Sequence, residues 1–310
     1  MRATFSPQVI DDPVGPGETL ESNMAFVDAW HDRHPRVRAW FGPHALYTCT
    51  EGTFRRMREL ADHYGVGIHT HLAESVAETG LVAERTGGLT PTQWLDRLVG
   101  LGPDVVAAHC VELTDDDLAL IASSGLGVAH CPTSNAKLGN GVAPIATLLE
   151  AGATVGLGTD SNMTNNDLDP FEEMRLAALA QKQVRRDPTV LPAEQVLRLA
   201  TAGSARVLGL ADLVGSLEVG KAADLAVVDL GAAHLHPLFT EGGGNVVEQL
   251  VWAAHGSDVR HTVVDGRVLM EDRRLLTLDL DEVVDLADRE ARHLLASAGV
   301  LDRVLGESRI

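Results

Sequence analysis

The stretch 65-GVGIHTHLAES-75 decides how the rest of the chain is read. Small and branched residues precede two histidines, and Ala-Glu-Ser follows where a strand hands over to a helix. Side chains alternate between faces along a strand, so His69 and His71 share one face while Thr70 and Leu72 take the other. Glu74 lies three residues past His71, at the strand's end. An imidazole and a carboxylate thus converge on one mouth, a pairing that metal-assisted and acid–base chemistry both need. Taken alone, the same residues also read as a histidine pair in a polar core beside a helix-start glutamate.

Outward from this stretch, strands and helices alternate. RATFS (2–6) and RVRAWFGPH (36–44) read as strands, with a helix over 17–34 between them. Thr50 caps a helix over 51–64, where Phe54, Met57, Leu60, Ala61 and Tyr64 keep the helical period. GVGIHTHL is the third strand, and helices over 75–86 and 90–99 follow, the second opened by Thr90-Pro91. DVVAAH (104–109), LGVAH (126–130) and TVGLGTD (154–160) are three more strands. A helix capped by Thr114 and stopped at Gly125, and another at PIATLLEAG, separate them. Helices near 170–184 and 192–208 close the region. Nearly all-apolar strands alternating with helices indicate a parallel sheet with helical crossovers. Polar residues collect at the strands' carboxyl ends: His44, His71, His109, His130 and Asp160.

After about residue 212 the pattern changes. GSLEVGKAADLAVVDL and DVRHTVVDGRVLMEDRR read as strands with glycine turns, and a helix over about 281–298 ends the chain. This divides the chain into a barrel region (1–211), a small β domain (212–279) and a C-terminal helix (280–310). Six βα units suffice for an open doubly wound sheet, whereas a closed parallel barrel takes eight strands. The residue pattern leaves both open, although no glycine-rich phosphate loop follows the first strand.

Composition bounds the function. The 310 residues carry a net charge of −19, which argues against nucleic acid or an anionic membrane as partner. Three cysteines, Cys49, Cys110 and Cys131, are odd in number and unpatterned, and read as free thiols of a reducing cytoplasm. No apolar run reaches membrane-spanning length, and the N-terminus carries no signal-peptide pattern. A soluble cytoplasmic protein is the expectation.

In order, the chain presents GPHALY, HLAES, AAHC, AHCPTSN, GLGTDSNMTNNDLDPFEEMR and GSLEVGKAADLAVVD. The ordered set resembles the metal-dependent amidohydrolase superfamily. Within it, the chain is most similar to the aminohydrolase/chlorohydrolase branch of methylthioadenosine/S-adenosylhomocysteine deaminases, guanine deaminases and s-triazine hydrolases. The resemblance covers nearly the whole chain and implies a (β/α)8 TIM-type barrel with part of a small β-sandwich. It makes His71 a metal ligand and Glu74 the acid–base residue. His109 becomes the sixth-strand histidine that contacts substrate and reacting oxygen, and Asp160 a metal ligand that accepts the water's proton. His44 becomes a substrate contact. One divalent metal, zinc or iron, is implied. None of the three lysines (Lys137, Lys182, Lys221) lies on RVRAWF, where two-metal relatives place a bridging lysine.

LGPDVVAAHC and NNDLDPFEEMRLAAL are most similar to adenosine-derivative deaminases. The implied reaction is hydrolytic deamination of a heterocyclic small molecule, by a homo-oligomer. An s-triazine or guanine-type hydrolase is the alternative within the class. The family also carries an H-x-H pair on its first strand, upstream of what RATFSPQVID matches. The H-x-H spacings here, His69–His71 and His234–His236, do not replace it. The chain is therefore expected to be a barrel without its first two strands, and an inactive fragment is the reading from a different class. His69 is expected to pack in the barrel, His130 to be structural, and Cys110 and Cys131 to face the helix layer.

Overall fold

A computed structural model describes residues 1–11 and 18–306. The chain opens with β1 (Ala3–Phe5) and β2 (Gln8–Val9), then α1 (Leu20–Trp30), β3 (Val37–Ala39), β4 (Gly42–Pro43) and α2 (Glu51–Tyr64). The helix expected over 17–34 is thus shorter, and residue 17 lies outside the described residues. β5 (Ile68–Leu72), α3 (Val76–Thr86), α4 (Pro91–Val99), β6 (Val105–His109), α5 (Asp115–Ser124) and β7 (Gly127–His130) follow. Then come α6 (Pro132–Leu138), α7 (Ile145–Glu150), β8 (Thr154–Leu157), α8 (Pro170–Arg185) and α9 (Ala193–Arg198). A π-turn over Leu199–Gly203 runs into α10 (Ser204–Val207). The expected strand 154–160 stops at Leu157, which leaves Asp160 in the loop beyond it.

The helix starts are built as the sequence specifies. Thr50, Ser75, Thr90 and Thr114 each accept a backbone N–H from the first turn of the following helix, and Pro91 opens α4. Gly65, Gly87 and Gly125 end their helices in the left-handed conformation. Phe54, Met57, Leu60 and Ala61 form the buried face of α2. They join Phe41, Ile68, Leu72, Leu95, Ile121 and Leu148 in one core between the strands and the helices.

The strands settle which winding the chain adopts. β1 pairs with β3 and β2 with β4, both parallel. A parallel bridge from Phe41 to Ile68 carries the sheet to β5, and β5, β6, β7 and β8 then pair parallel in that order. Spatial order follows chain order throughout, so every crossover steps the same way. A doubly wound sheet reverses at a switch point, and none occurs among the described residues.

Register places His71, Ala108, Ala129 and Gly156 in one row across the face, with His69, Val106, Gly127 and Thr154 in the row below. The small residues have a physical use. Residues 199–207 lie against this face, and a Cβ on Gly156 would stand 2.7 Å from Ser204 Cα. One on Gly127 would stand 3.0 Å from Val207 Cγ1.

The remaining chain forms a four-stranded antiparallel sheet, in the order β12 (Arg274–Leu275), β11 (Arg267–Glu271), β10 (Val259–Val264), β9 (Leu225–Val228). The GSLEVG segment expected as a strand forms turns, because Gly215 and Gly220 take positive φ on either side of a four-residue span. Between β9 and β10 the chain makes α11 (Val246–Trp252), an element the hairpin pattern did not suggest. It returns to the first sheet's helices there, and Arg175 of α8 donates to the Ala254 carbonyl at 2.8 Å. Arg2 pairs with Asp224 at 2.6 Å, tying the start of β1 to the small sheet. α12 (Leu280–Ser297) and α13 (Leu301–Leu305) follow, and α12 buries no residue.

Candidate active site

His44, His71, His109, Glu74 and Asp160 come together at the carboxyl ends of β4 to β8. The His71 ring lies between two others, with centroids 4.5 Å from His44 and 5.3 Å from His109, the latter stacked. His71 Nδ1 is 2.6 Å from the His44 carbonyl oxygen. A carbonyl only accepts, so Nδ1 carries the proton and the Nε2 lone pair is left for a ligand. Burial and the neighbouring His109 lower the His71 pKa, which keeps the ring neutral. A carbonyl fixing the far nitrogen is the support that metal-binding histidines commonly have.

His109 reaches this group through its backbone. Register pairs it with Leu72, so strand alternation alone would point it away from His71. Its φ of 73° and that of Cys110, 52°, lie in the left-handed region that non-glycine residues rarely adopt. Such strain persists where the surroundings fix it, and it clusters at functional sites. The turn is held by Cys110 N–H to Leu72 O at 2.9 Å. His109 Nδ1 donates to Asn135 Oδ1 at 2.9 Å. Its Nε2 is buried, has no hydrogen-bond partner among the described residues, and stands 3.9 Å from Glu74 Oε1. A buried ring nitrogen left unpaired costs about 1–3 kcal/mol, which a ligand or water in the site would recover.

Asp160 repeats the device, with φ 61° just past β8. Ser134 Oγ donates to its Oδ2 at 2.6 Å and the Ser161 N–H to its Oδ1 at 2.7 Å. Burial works to raise its pKa, but these bonds and the Thr164 hydroxyl outweigh it and hold the group as carboxylate. His44 Nδ1 bonds Thr48 Oγ1 at 2.9 Å, and burial with His71 beside it pushes the ring down to about 4.

The residues that hold these groups come largely from one segment, 134–140. Ser134 meets Asp160, Asn135 meets His109, and Asn140 Nδ2 donates to Glu74 Oε1 at 2.9 Å. AHCPTSN was legible as a motif, but the division of labour among its side chains was not. α6 is seven residues long and has no apolar period to reveal it. His69 bonds Ser6 Oγ at 3.0 Å in the row below. His130 is 1% exposed, neither ring nitrogen has a partner among the described residues, and burial pushes it down to about 3. Cys49, Cys110 and Cys131 are free and buried.

Among the described residues, no group of three or more His, Cys, Asp and Glu side chains is arranged to hold a metal ion. The donors of suitable chemistry are His71 Nε2 and the Asp160 carboxylate. A catalytic zinc takes at least three protein ligands, and these are two.

The chain is similar to known proteins both in sequence and in structure. The chain is 43% identical over 288 residues to a 5-methylthioadenosine/S-adenosylhomocysteine deaminase of Syntrophobacter fumaroxidans, covering 92% of this chain and 64% of that protein. It is 44% identical over 277 residues to a 5'-deoxyadenosine deaminase of Methanosarcina barkeri, covering 89% and 62%. The chain thus spans a little under two thirds of the length of these relatives. Among solved structures, a zinc-bound adenosine deaminase from Xanthomonas campestris superposes with a TM-score of 0.88 at 36% identity, covering 96% of this chain and 66% of that one. A zinc complex of atrazine chlorohydrolase from Arthrobacter aurescens gives 0.78 at 30% identity, covering 87% and 58%. The family model for amidohydrolases matches from residue 5 to residue 269, taking in every group at the strand ends, and the chain belongs to the amidohydrolase family.

Proposed function

We propose that the chain carries the catalytic face of a metal-dependent deaminase acting on an adenosine derivative of the methylthioadenosine or S-adenosylhomocysteine type. The observation that carries this is the unpartnered His109 Nε2, buried beside Glu74 and stacked on His71. The alternative, an s-triazine or guanine-type hydrolase, has weaker support. Among solved structures, identity is 36% to the adenosine deaminase against 30% to the chlorohydrolase and 25% to a guanine deaminase.

His71 and Asp160 would hold one divalent metal, and the zinc in the two neighbours favours zinc over iron. When bound, such a metal makes water a nucleophile near neutral pH. The chain's own groups do the rest. Asp160, held ionised, accepts the proton of the attacking water. His109 orients that water and stabilises the charge developing on its oxygen. Glu74 donates a proton to the ring nitrogen next to the amine-bearing carbon. Recharged with the proton that Asp160 took from the water, it then protonates the amine as the C–N bond breaks, and the added hydroxyl's remaining proton returns to Glu74 as the carbonyl forms, so that one water is consumed and one ammonia released. His44 lies where it would contact the heterocycle.

The same-direction winding of six strands supports a barrel that two further strands would complete, with 212–279 as a β domain and a C-terminal helical segment from residue 280; residues 307–310 of that segment lie outside the described residues. The exposed apolar residues Leu280, Val284 and Leu294 of α12 support a homo-oligomer. Three free thiols support a cytoplasmic setting. Among the described residues, no helix is long and apolar enough to cross a membrane. The substrate reading is tested by ammonia release from methylthioadenosine, S-adenosylhomocysteine, 5'-deoxyadenosine, guanine and atrazine, offered separately to the zinc-loaded protein with its ligand set complete. A preference for guanine or atrazine would transfer the assignment to the alternative.

A further inference from the structure

Glu78 is a buried carboxyl that the proposed chemistry does not use. Ser75-Val-Ala-Glu78 has the S-x-x-E spacing of a capping box, in which the glutamate reaches back to the N-cap's own amide. Ser75 does its half, accepting the Glu78 N–H at 3.3 Å. Glu78 Oε2 instead accepts the backbone N–H of Glu74, one residue further back, at 2.8 Å. A capping glutamate normally sits in water. This one is 1% exposed, and its Oε1 has no partner among the described residues.

The peptide that Glu78 grips belongs to a strained turn. Ala73 has φ 49°, in the left-handed region. Its carbonyl accepts the N–H groups of Val111 at 2.9 Å and Glu112 at 2.8 Å, just past the His109 turn. The turns bearing Glu74 and His109 are therefore pinned to each other on one side, and Glu78 holds the other. Asn140 restrains the Glu74 side chain, whereas Glu78 fixes the backbone from which it springs.

We propose that Glu78 is a positioning residue for Glu74, its buried carboxyl anchoring the Glu74 amide so that the Glu74 carboxyl stands beside His109 Nε2. The inference rests on the reading of Glu74 as the proton shuttle, but its test needs neither metal nor substrate.

The experiment is NMR on the 310-residue chain, with the Glu74 amide assigned by its loss from the glutamate-labelled spectrum in Glu74→Gln. Its hydrogen exchange is compared with that of the His71 amide, which donates to His44 O at 3.0 Å. Glu78→Leu should speed Glu74 exchange by about ten- to a hundredfold, the scale of a lost bond to a charged group, while His71 stays protected. Glu78→Gln keeps an acceptor oxygen and should restore protection. It should also abolish the pH titration of the Glu74 amide shift that the unsubstituted protein is expected to show. A Glu74 amide that is unprotected from the start, or equally protected in Glu78→Leu, overturns the proposal. If His71 also loses protection in Glu78→Leu, Glu78→Gln decides: a lost titration supports the anchor, and an unchanged one overturns it. Absence of deaminase turnover would refute the proposed reaction and leave this result standing.

Discussion

Replacing Glu78 by glutamine should change how stability depends on pH, by an amount that follows from the carboxyl's burial. Burial pushes the Glu78 carboxyl up from 4.5 to about 7, and the nearby Glu74 charge adds to it, against the backbone N–H groups of Glu74 and Ala73. The folded chain therefore holds a proton that the unfolded chain has already released between those two values. Stability from this group is fully present at low pH and falls as pH rises from about 4.5 to about 7, then levels off. At 1.36 kcal/mol per unit the whole loss is about 3 kcal/mol, most of it between pH 5 and pH 8. Glutamine does not titrate. Urea unfolding of both proteins at pH 5 and pH 8 should show Glu78→Gln gaining roughly 2–3 kcal/mol on the parent across that interval. All other groups cancel in the difference, and any packing penalty of glutamine shifts both pH values equally. A difference that stays constant within about 0.5 kcal/mol would show that Glu78 does not ionise at a buried site, and would refute the reasoning.

Three further outcomes are expected. Glu74→Gln should keep metal and lose turnover by about a hundredfold or more, the scale of general acid–base help, as ammonia release would show; near-normal turnover removes Glu74 from the mechanism. His71→Ala and Asp160→Ala should each lower zinc measured by elemental analysis, while His109→Ala should lower turnover more than metal; unchanged metal in the first two refutes the ligand assignment. Gly156→Ala places a Cβ 2.7 Å from Ser204 Cα and should cost about 1–3 kcal/mol in a urea titration, as the 199–207 segment is pushed off the sheet; a neutral result contradicts that packing.

What the sequence made legible is what local physics controls. The period of α2, the threonine caps and the spacing of His71 and Glu74 all depend on near neighbours, and the structure keeps them. The winding direction depends on which strands pair, and residue pattern alone could not choose between an open sheet and a barrel. His109 illustrates the other gap. Its position on β6 gives it the face of Leu72, and only the left-handed turn at His109–Cys110 brings its ring onto His71. Neither residue is a glycine, so no sequence signal marks that turn. Asp160 needs the same turn beyond a strand that ends at Leu157. Glu78 was hidden by its ordinary spacing, since a capping glutamate and a buried anchor share the S-x-x-E pattern.

The central claim is that His71 and Asp160 are two members of a larger ligand set in a deaminase site. It is tested most directly by measuring zinc content and ammonia release side by side on two polypeptides. One is residues 1–310, and the other is the same residues preceded by a strand carrying the H-x-H pair that the family resemblance calls for. The account predicts weak zinc binding and no ammonia release in the first, because two protein donors fall short of a catalytic zinc site. It predicts one zinc and turnover in the second, both lost in His71→Ala. Stoichiometric zinc and ammonia release from residues 1–310 alone would contradict it and require a different set of ligands.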